Sequence, residues 1–530
     1  MPFDYAPLRT KWHREGWFSS RTCLDAFEAG AREHGSTPID FVLEATTVTA
    51  SVADIHHEAV RVAAGLQRLG VRPGDAVAVQ LTNRVECAIA YQAVLLAGAI
   101  LVPIVHIYGA GEVGFIVAES EASVLITLDT SRAASVGDAL EYVVVVGSNP
   151  GDGQLAWADL SASGDYARPH VDADSVCLLM YTSGTTSAPK GVQHTHNTVL
   201  AEQASMSALI AGEPEDVSLV SFPPGHIAGV GSTLRAMMSG ARTVFMQKWD
   251  PRRAADVIGA FGVTSTAGAP THLQGILELD CAAGELATLR EFLVGAAPVT
   301  RELGERASAA GIATFRCYGA TEHPTVSGVH AGEPDWALLG TDGKPMPGSV
   351  LRILDPRGVE VPADVDGEVV VRGPEQFIGY RDPVLNDEAF THDGWFRTGD
   401  LGRVDADGRL TITDRIKDVI IRGGETISSA QVEDVLVTHP AVSEGAVVAA
   451  PDTRVGEVVA AVVVVKPGAH LDLTALRHHF AAAGLTTQKV PERLVIVDAL
   501  PRTSLGKVRK AELRAEHFPR DGRRLGSPER

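Results

Sequence analysis

Tyr181-Thr-Ser-Gly-Thr-Thr-Ser-Ala-Pro-Lys-Gly191 places five Ser/Thr hydroxyls, two glycines and one lysine within eleven residues. Hydroxyls and exposed backbone N–H groups donate to phosphate oxygens, glycine lets the backbone approach a ligand, and lysine adds a compact positive charge. The preceding run, Asp174-Ser-Val-Cys-Leu-Leu-Met-Tyr181, predicts a buried strand, and a helix is expected to start at Gln193. Strand, hydroxyl–glycine loop and helix together make a polyphosphate cradle. The pattern G-x-x-x-x-G-K-[ST] does not fit, so this is not a Walker A loop. The plain alternative is a Ser/Thr/Gly surface loop.

Around this stretch, helical periodicity alternates with short apolar runs such as Ala76–Gln80, Ser123–Thr127 and Tyr142–Val146. That alternation predicts an α/β domain with largely parallel, buried strands. From about Val350 the texture changes. Val350–Leu354, Gly367–Arg372 and Arg409–Thr413 read as short strands bounded by Gly/Asp/Pro turns, an antiparallel β subdomain. A new unit is expected from Arg415, so the domains are read as 1–414 and 415–530. The second reads as strand Val419–Ile421, helix Ser429–Thr438, strands Glu444–Ala449 and Val458–Val465, helix Leu473–Ala483 and strand Arg493–Val497, a small lid domain. The polar tail after His517 is expected to be disordered.

A chain of 530 residues exceeds one core, and 45% apolar with 21% charged residues is a soluble composition. The net charge of -20 argues against nucleic acid or an anionic membrane as main partner, so an anionic substrate needs locally placed cations. Five scattered cysteines, without a CxxC pair or zinc-site spacing, suit a reduced, cytoplasmic compartment. The N-terminus lacks signal-peptide character. The run Ala88–Gly109 is interrupted by Gln92, Gly98, Pro103 and His106, and reads as a buried helix entering a buried strand rather than an integral membrane segment. Gly109-Ala-Gly-Glu-Val-Gly114 matches G-x-G-x-x-G, but a lone match is weak and reads as a turn into an ordinary helix.

Four further segments suit a nucleotide site. Tyr318-Gly-Ala-Thr-Glu322 offers a ring to stack on a base, a hydroxyl at Thr321 and a hard oxygen ligand at Glu322. Gly394-Trp-Phe-Arg-Thr-Gly-Asp400 places a carboxylate after a turn, able to accept from both hydroxyls of a ribose. Arg415, Lys417 and Asp418 lie where composition shifts, and Pro501-Arg-Thr-Ser-Leu-Gly-Lys507 presents a lysine on a glycine turn. Singly, each also reads as a turn or a solvated charge.

Together and in this order, Tyr181–Gly191, Tyr318–Glu322, Gly394–Asp400, Asp414–Asp418 and Pro501–Lys507 resemble the acyl-adenylate-forming superfamily of acyl-CoA synthetases, adenylation domains and firefly luciferase. The resemblance runs from about Thr22 to Leu513. It implies a large α/β N-terminal domain with a small, hinged α+β C-terminal domain. It also implies two half-reactions: a carboxylate attacks the α-phosphate of ATP to give acyl-AMP and pyrophosphate, then a thiol, usually that of CoA, displaces AMP. By that resemblance Thr182, Ser183, Gly184, Thr185, Thr186 and Lys190 cradle the β/γ-phosphates, and Glu322 with Thr185 holds Mg²⁺. Ala297, Pro298 and Tyr318 border adenine, Gly319 belongs to the nucleotide site and the acyl lining, Thr321 donates to phosphate, and Asp400 with Arg415 holds the ribose. Lys507 bridges the carboxylate and the α-phosphate, Lys417 is the hinge, and Gly424 lines the thiol tunnel. Ser187 stands where glycine is usual.

For the acid, members that activate amino acids carry an aspartate in the segment matching Ser221–Gly231; none stands here, and a buried unpaired ammonium is costly. The resemblance places His226, Ile227, Ala228, Gly229, Val230, Gly295, Ala296 and His323 around the acyl group. That lining suits an aliphatic, alicyclic or simple aromatic acid, although His226 also reads as a packing residue. His194 and His196, with no third ligand in sequence, read as structural. The leading reading is an acid–CoA ligase using ATP, Mg²⁺ and CoA, with a homodimer as candidate assembly. The rivals are a ligase that loads a carrier-protein thiol, an NAD(P) oxidoreductase built on Gly109–Gly114, and an inactive nucleotide sensor.

Overall fold

The computed structural model describes residues 3–128, 140–147, 149–162, 164–182, 189–210, 212–213, 215–279, 284–295, 301–330, 333–422, 425–483, 485–503 and 506–519. By packing, the chain forms two compact units. The first takes the chain up to Leu351 plus Val371–Phe396; the second takes Arg352–Val370 plus Arg397 onward. Packing therefore does not divide the chain at 414/415, because the strands before Arg415 group with the segments after it.

The first unit is α/β, as the alternating apolar runs predict. One sheet runs in the order Gly379–Tyr380, Lys190–Thr195, Val176–Thr182, Ile100–Pro103, Ala76–Gln80, Val124–Thr127, Tyr142–Val145, Leu155–Ala156. From Val176–Thr182 onward its pairs are parallel. Every residue of Ala76–Gln80 is buried, which is why that strand reads as a continuous apolar run rather than an alternating one. The helix Val85–Leu96 is buried from Cys87 through Leu96 and leads into the strand Ile100–Pro103, as expected for this non-spanning run. Among the described residues no helix is long and apolar enough to cross a membrane.

A second sheet has nine strands, with a parallel centre through Pro38–Val42, Thr243–Met246, Ser218–Val220, Ser265–Gly268, Glu291–Val294 and Ala313–Ala320. One end closes with the antiparallel hairpin of Ala313–Ala320 and His323–Gly328. Gly109–Gly114 forms the cap and first turns of the helix Ala110–Ser120, where the Gly109 N–H donates to Glu112 at 2.9 Å. Nothing lies within 4 Å of a Cβ built on Gly111 or Gly114, so neither glycine is required by a close approach.

The second unit holds most of a four-stranded sheet, in the order Val350–Leu354, Gly367–Arg372, Phe396–Val404, Leu410–Arg415, whose last pair is antiparallel. Beyond it come strands Ile420–Arg422, Glu425–Ile427, Val442–Asp452, Gly456–Val465 and Arg493–Ile496, with helices Ser429–Leu436, Leu473–Ala482 and Lys510–His517. These match the six elements read from sequence and add Glu425–Ile427 and Lys510–His517. Val432, Leu436, Val447, Val459, Val463, Leu476 and Phe480 form its core. The tail expected to be disordered lies outside the described residues beyond 519.

Candidate active site

The loop of hydroxyls and glycine joins two antiparallel strands, Thr182 pairing with Lys190 and Tyr181 with Gly191. This corrects the expected helix start. The chain continues as the strand Lys190–Thr195 because it pairs on both sides, with Val176–Thr182 and with Gly379–Tyr380. The helix begins only at His196, where the Thr195 hydroxyl accepts from the Thr198 N–H at 3.2 Å. The described residues on either side of the loop are thus paired strands, and no helix starts directly after it. Ser183, Gly184, Thr185, Thr186 and Ser187 lie outside the described residues.

At the base of that hairpin the Lys190 ammonium sits 5.1 Å above the ring of Tyr380. The Tyr380 hydroxyl donates to Glu322 Oε1 at 2.7 Å. Burial, and then the Glu322 charge, hold the phenol well above its ordinary pKa, so it stays a donor. Lysine, tyrosine and glutamate from three distant segments thereby form one cluster. Glu322 belongs to the two-residue turn between Ala313–Ala320 and His323–Gly328. The Thr321 carbonyl in that turn accepts from His194 Nε2 at 2.8 Å. Burial lowers His194 to about 4, so the ring is neutral and the proton on Nε2 makes this bond. The strand runs through Gly319 with a bulge, and a Cβ there would stand 1.8 Å from the Pro324 carbonyl oxygen. Tyr318 is half-buried and Gly319 exposed at this end of the strand.

In the second unit Asp400 pairs across the sheet with Arg415, whose Nε donates to Asp400 Oδ1 at 2.8 Å. Asp400 lies inside the strand Phe396–Val404, not after a turn as expected: Leu401 through Val404 also pair with Leu410–Asp414. Asp400 is buried, while the Arg415 side chain is about half exposed. Lys507 is drawn into the same electrostatic neighbourhood. Desolvation lowers its pKa first, Arg415 and Lys417 lower it further, and Asp400 opposes them. Lys417 is lowered by desolvation and by Arg415. Lys507 follows a closed turn in which the Thr503 N–H donates to the Lys507 carbonyl at 2.7 Å. Asp414 turns the other way, accepting from the Ser429 N–H at 2.6 Å at the start of the helix Ser429–Leu436.

His226 is the N-cap of the helix Ile227–Ser239. Ala228 is exposed, Ile227 half-buried, and Gly229 and Val230 buried. Gly295 follows the strand Glu291–Val294 and donates to the Gly268 carbonyl at 3.1 Å. His323 is fully buried, and burial lowers it to about 3. Ala296, Ala297, Pro298 and Gly424 lie outside the described residues. Tyr380 was missed, since an isolated tyrosine near a glycine carries no signal until strand pairing brings it to Glu322. The scattered cysteines are not all apart either: Cys23, Cys177 and His196 have their ligand atoms within 4.8 Å of one another, all buried. His196 Nδ1 accepts from the Cys23 N–H at 3.3 Å.

The AMP-binding enzyme family matches residues 27–381, and the AMP-binding enzyme C-terminal domain matches residues 431–507. The medium-chain fatty-acid–CoA ligase of Escherichia coli is 29% identical over 96% of this chain and 92% of its own length. The salicyl-AMP ligase / salicyl-S-ArCP synthetase of Mycobacterium tuberculosis is 34% identical over 87% of this chain and 84% of its own. The o-succinylbenzoate coenzyme A synthetase of Bacillus subtilis, solved in complex with ATP and magnesium ion, superposes with a TM-score of 0.80 at 28% identity, covering 92% of this chain and 99% of that one. The chain therefore belongs to the AMP-binding enzyme family, and it is an adenylate-forming acid ligase.

Proposed function

We propose that this chain joins a carboxylic acid to CoA in two steps. A carboxylate oxygen attacks the α-phosphorus of ATP, the bond to the bridging oxygen breaks, and pyrophosphate leaves. The CoA sulfur then attacks the acyl carbon, AMP departs, and the thiol proton is released. The observation that carries the reading is the convergence of Lys190, Tyr380 and Glu322 at the base of the phosphate hairpin. Chemistry at phosphorus depends mainly on positioning and charge neutralisation, and this cluster offers a cation, a donor and an anionic oxygen ligand.

Glu322 fits Mg²⁺ as a hard oxygen ligand, with Thr185 assigned beside it. The ion supplies neutralisation of phosphate charge. Lys190 binds phosphate, Asp400 accepts from the ribose hydroxyls, and Lys507 stabilises charge developing between carboxylate and α-phosphate. Thr182 through Thr186 cradle phosphate, Thr321 donates to it, Ala297, Pro298 and Tyr318 border adenine, and Gly319 belongs to the nucleotide site and the acyl lining. Lys417 is the hinge, and Gly424 admits the thiol. Such hinges are a few residues that absorb a large backbone change. His226–Val230, Gly295, Ala296 and His323 surround the acyl group.

A second acceptor, a carrier-protein thiol, is favoured by the 34% identity to the salicyl-AMP ligase / salicyl-S-ArCP synthetase. The test is pyrophosphate release with ATP and Mg²⁺ across a panel of acids, with and without CoA. Acid-dependent release with acyl-CoA formation supports the leading reading. Release without acyl-CoA favours the carrier protein, and no release with any acid refutes both.

A further inference from the structure

A small void lies in the first unit, between the helices His196–Leu209 and Ile227–Ser239. Leu178, Ile227, Val230 and Leu234 line it on the apolar side, and Glu202 and Gln203 on the polar side. Ile227 and Val230 are among the residues assigned to the acyl pocket. His194 and Pro324 also border the void, and both flank the Thr321–Glu322 turn, so the void adjoins the element that carries the chemistry. Its free space is about 10 Å³, room for one water-sized group.

The polar side is built, and one of its needs is unmet. Glu202 is 8% exposed and Gln203 9%. Gln203 Nε2 donates to Glu202 Oε2 at 2.5 Å and to the Gly231 carbonyl at 3.2 Å. Both partners are acceptors, which fixes the amide nitrogen toward them. Gln203 Oε1 is then buried with no partner among the described residues. Leaving a buried acceptor unpaired is unfavourable, so a site of this kind favours a ligand that brings a donor. Gly231 keeps the space beside the carboxylate open, since a Cβ there would stand 2.9 Å from Glu202 Oε1. Burial pushes Glu202 up to about 7, with Arg235 pulling it back.

We propose that Glu202 and Gln203 read the end of the acyl group remote from its carboxylate, and that the preferred acid carries a hydrogen-bond donor there, a hydroxyl or an amino group. This rests on the adenylation reading and names its substrate class. Sites that hydrogen-bond a substrate hydroxyl discriminate against the analogue lacking it by up to about 10⁴-fold, whereas purely apolar pockets manage about 10–200-fold.

The experiment compares size-matched acids with and without a terminal hydroxyl, aromatic and aliphatic, by kcat/KM for pyrophosphate release and by calorimetric binding. It uses wild type, Gln203→Leu and Glu202→Gln, with thermal melts to confirm folding. The expected result is a preference of at least about tenfold for the hydroxylated acid, falling toward one in Gln203→Leu. Equal or better use of the plain acid by wild type would overturn the proposal. So would a preference that survives in both variants, which would leave the void a seat for one buried water. If no acid releases pyrophosphate, the adenylation reading fails; the binding ratios then still decide whether Glu202 and Gln203 select a donor.

Discussion

The two units handle charge in opposite ways. In the first, the carboxylate of Glu322 is held by a neutral phenol, with a single lysine stacked behind that ring. In the second, the carboxylate of Asp400 is bound by Arg415, with Lys417 and Lys507 in the same field. A neutral donor orients Glu322 without neutralising it, as suits a ligand for a hard cation. Around Asp400, Arg415, Lys417 and Lys507 make a cationic neighbourhood. Within a chain of net charge -20, the second unit thus gathers a local excess of positive charge, while the first leaves one carboxylate oriented by a neutral donor.

Removing the cation from the second arrangement is expected to have the largest effect. Lys507→Ala should slow acid-dependent pyrophosphate release by about two to three orders of magnitude, the usual cost of losing a contact to developing charge. A loss below tenfold would mean that Arg415 and Lys417 suffice. In the first arrangement, Tyr380→Phe removes only the orienting donor. Metal-ligand partners of this kind typically matter by about 10–100-fold, so activity should fall by that factor and the Mg²⁺ requirement rise, read from a Mg²⁺ titration. An unchanged titration would detach Tyr380 from the metal site.

Gly319→Ala tests the frame that carries Glu322. Its methyl meets backbone rather than a flexible side chain, so destabilisation of about 1–3 kcal/mol is expected in chemical denaturation, as for other forced overpacking. The smallest effect is on pH dependence. Lys507 acts as a cation, and its pKa is lowered from the ordinary 10.5. The rate of the first step should therefore fall as pH rises through a value below 10.5. The Lys507 cation is also disfavoured in the fold, so its contribution to stability improves, rather than declines, as pH rises. Removing the neighbouring charge in Lys417→Gln should move the alkaline limb upward; an unmoved limb would show that desolvation and Arg415 set it.

Much of this was legible in the chain because it is local. Continuous apolar runs announced the buried parallel strands, since strands covered on both faces need no alternation. Apart from the strand Glu425–Ile427, the elements from Ile420 to Ile496 were found within a few residues, because turns at Gly, Asp and Pro bound them. The Lys507 turn was visible for the same reason. What failed was the helix start at Gln193 and the strand Phe396–Val404. Both depend on partners elsewhere: Lys190–Thr195 is a strand because two other strands flank it, and Asp400 lies in a strand because Arg415 pairs with it.

The sequence by itself determined the α/β class, the order of the nucleotide motifs and the residue types whose chemistry suits phosphate and metal. Each is written in a short window, where periodicity and side-chain chemistry act directly. Only the tertiary structure decided that Tyr380 serves Glu322, that His194 steadies the Thr321 carbonyl, that Cys23 and Cys177 meet His196, and that Gln203 leaves a buried acceptor open beside Glu202. The longest of these pairings, between Cys23 and His196, spans 173 positions. They arise from sheet register and helix packing, which bring distant side chains together without leaving a periodic trace in either segment.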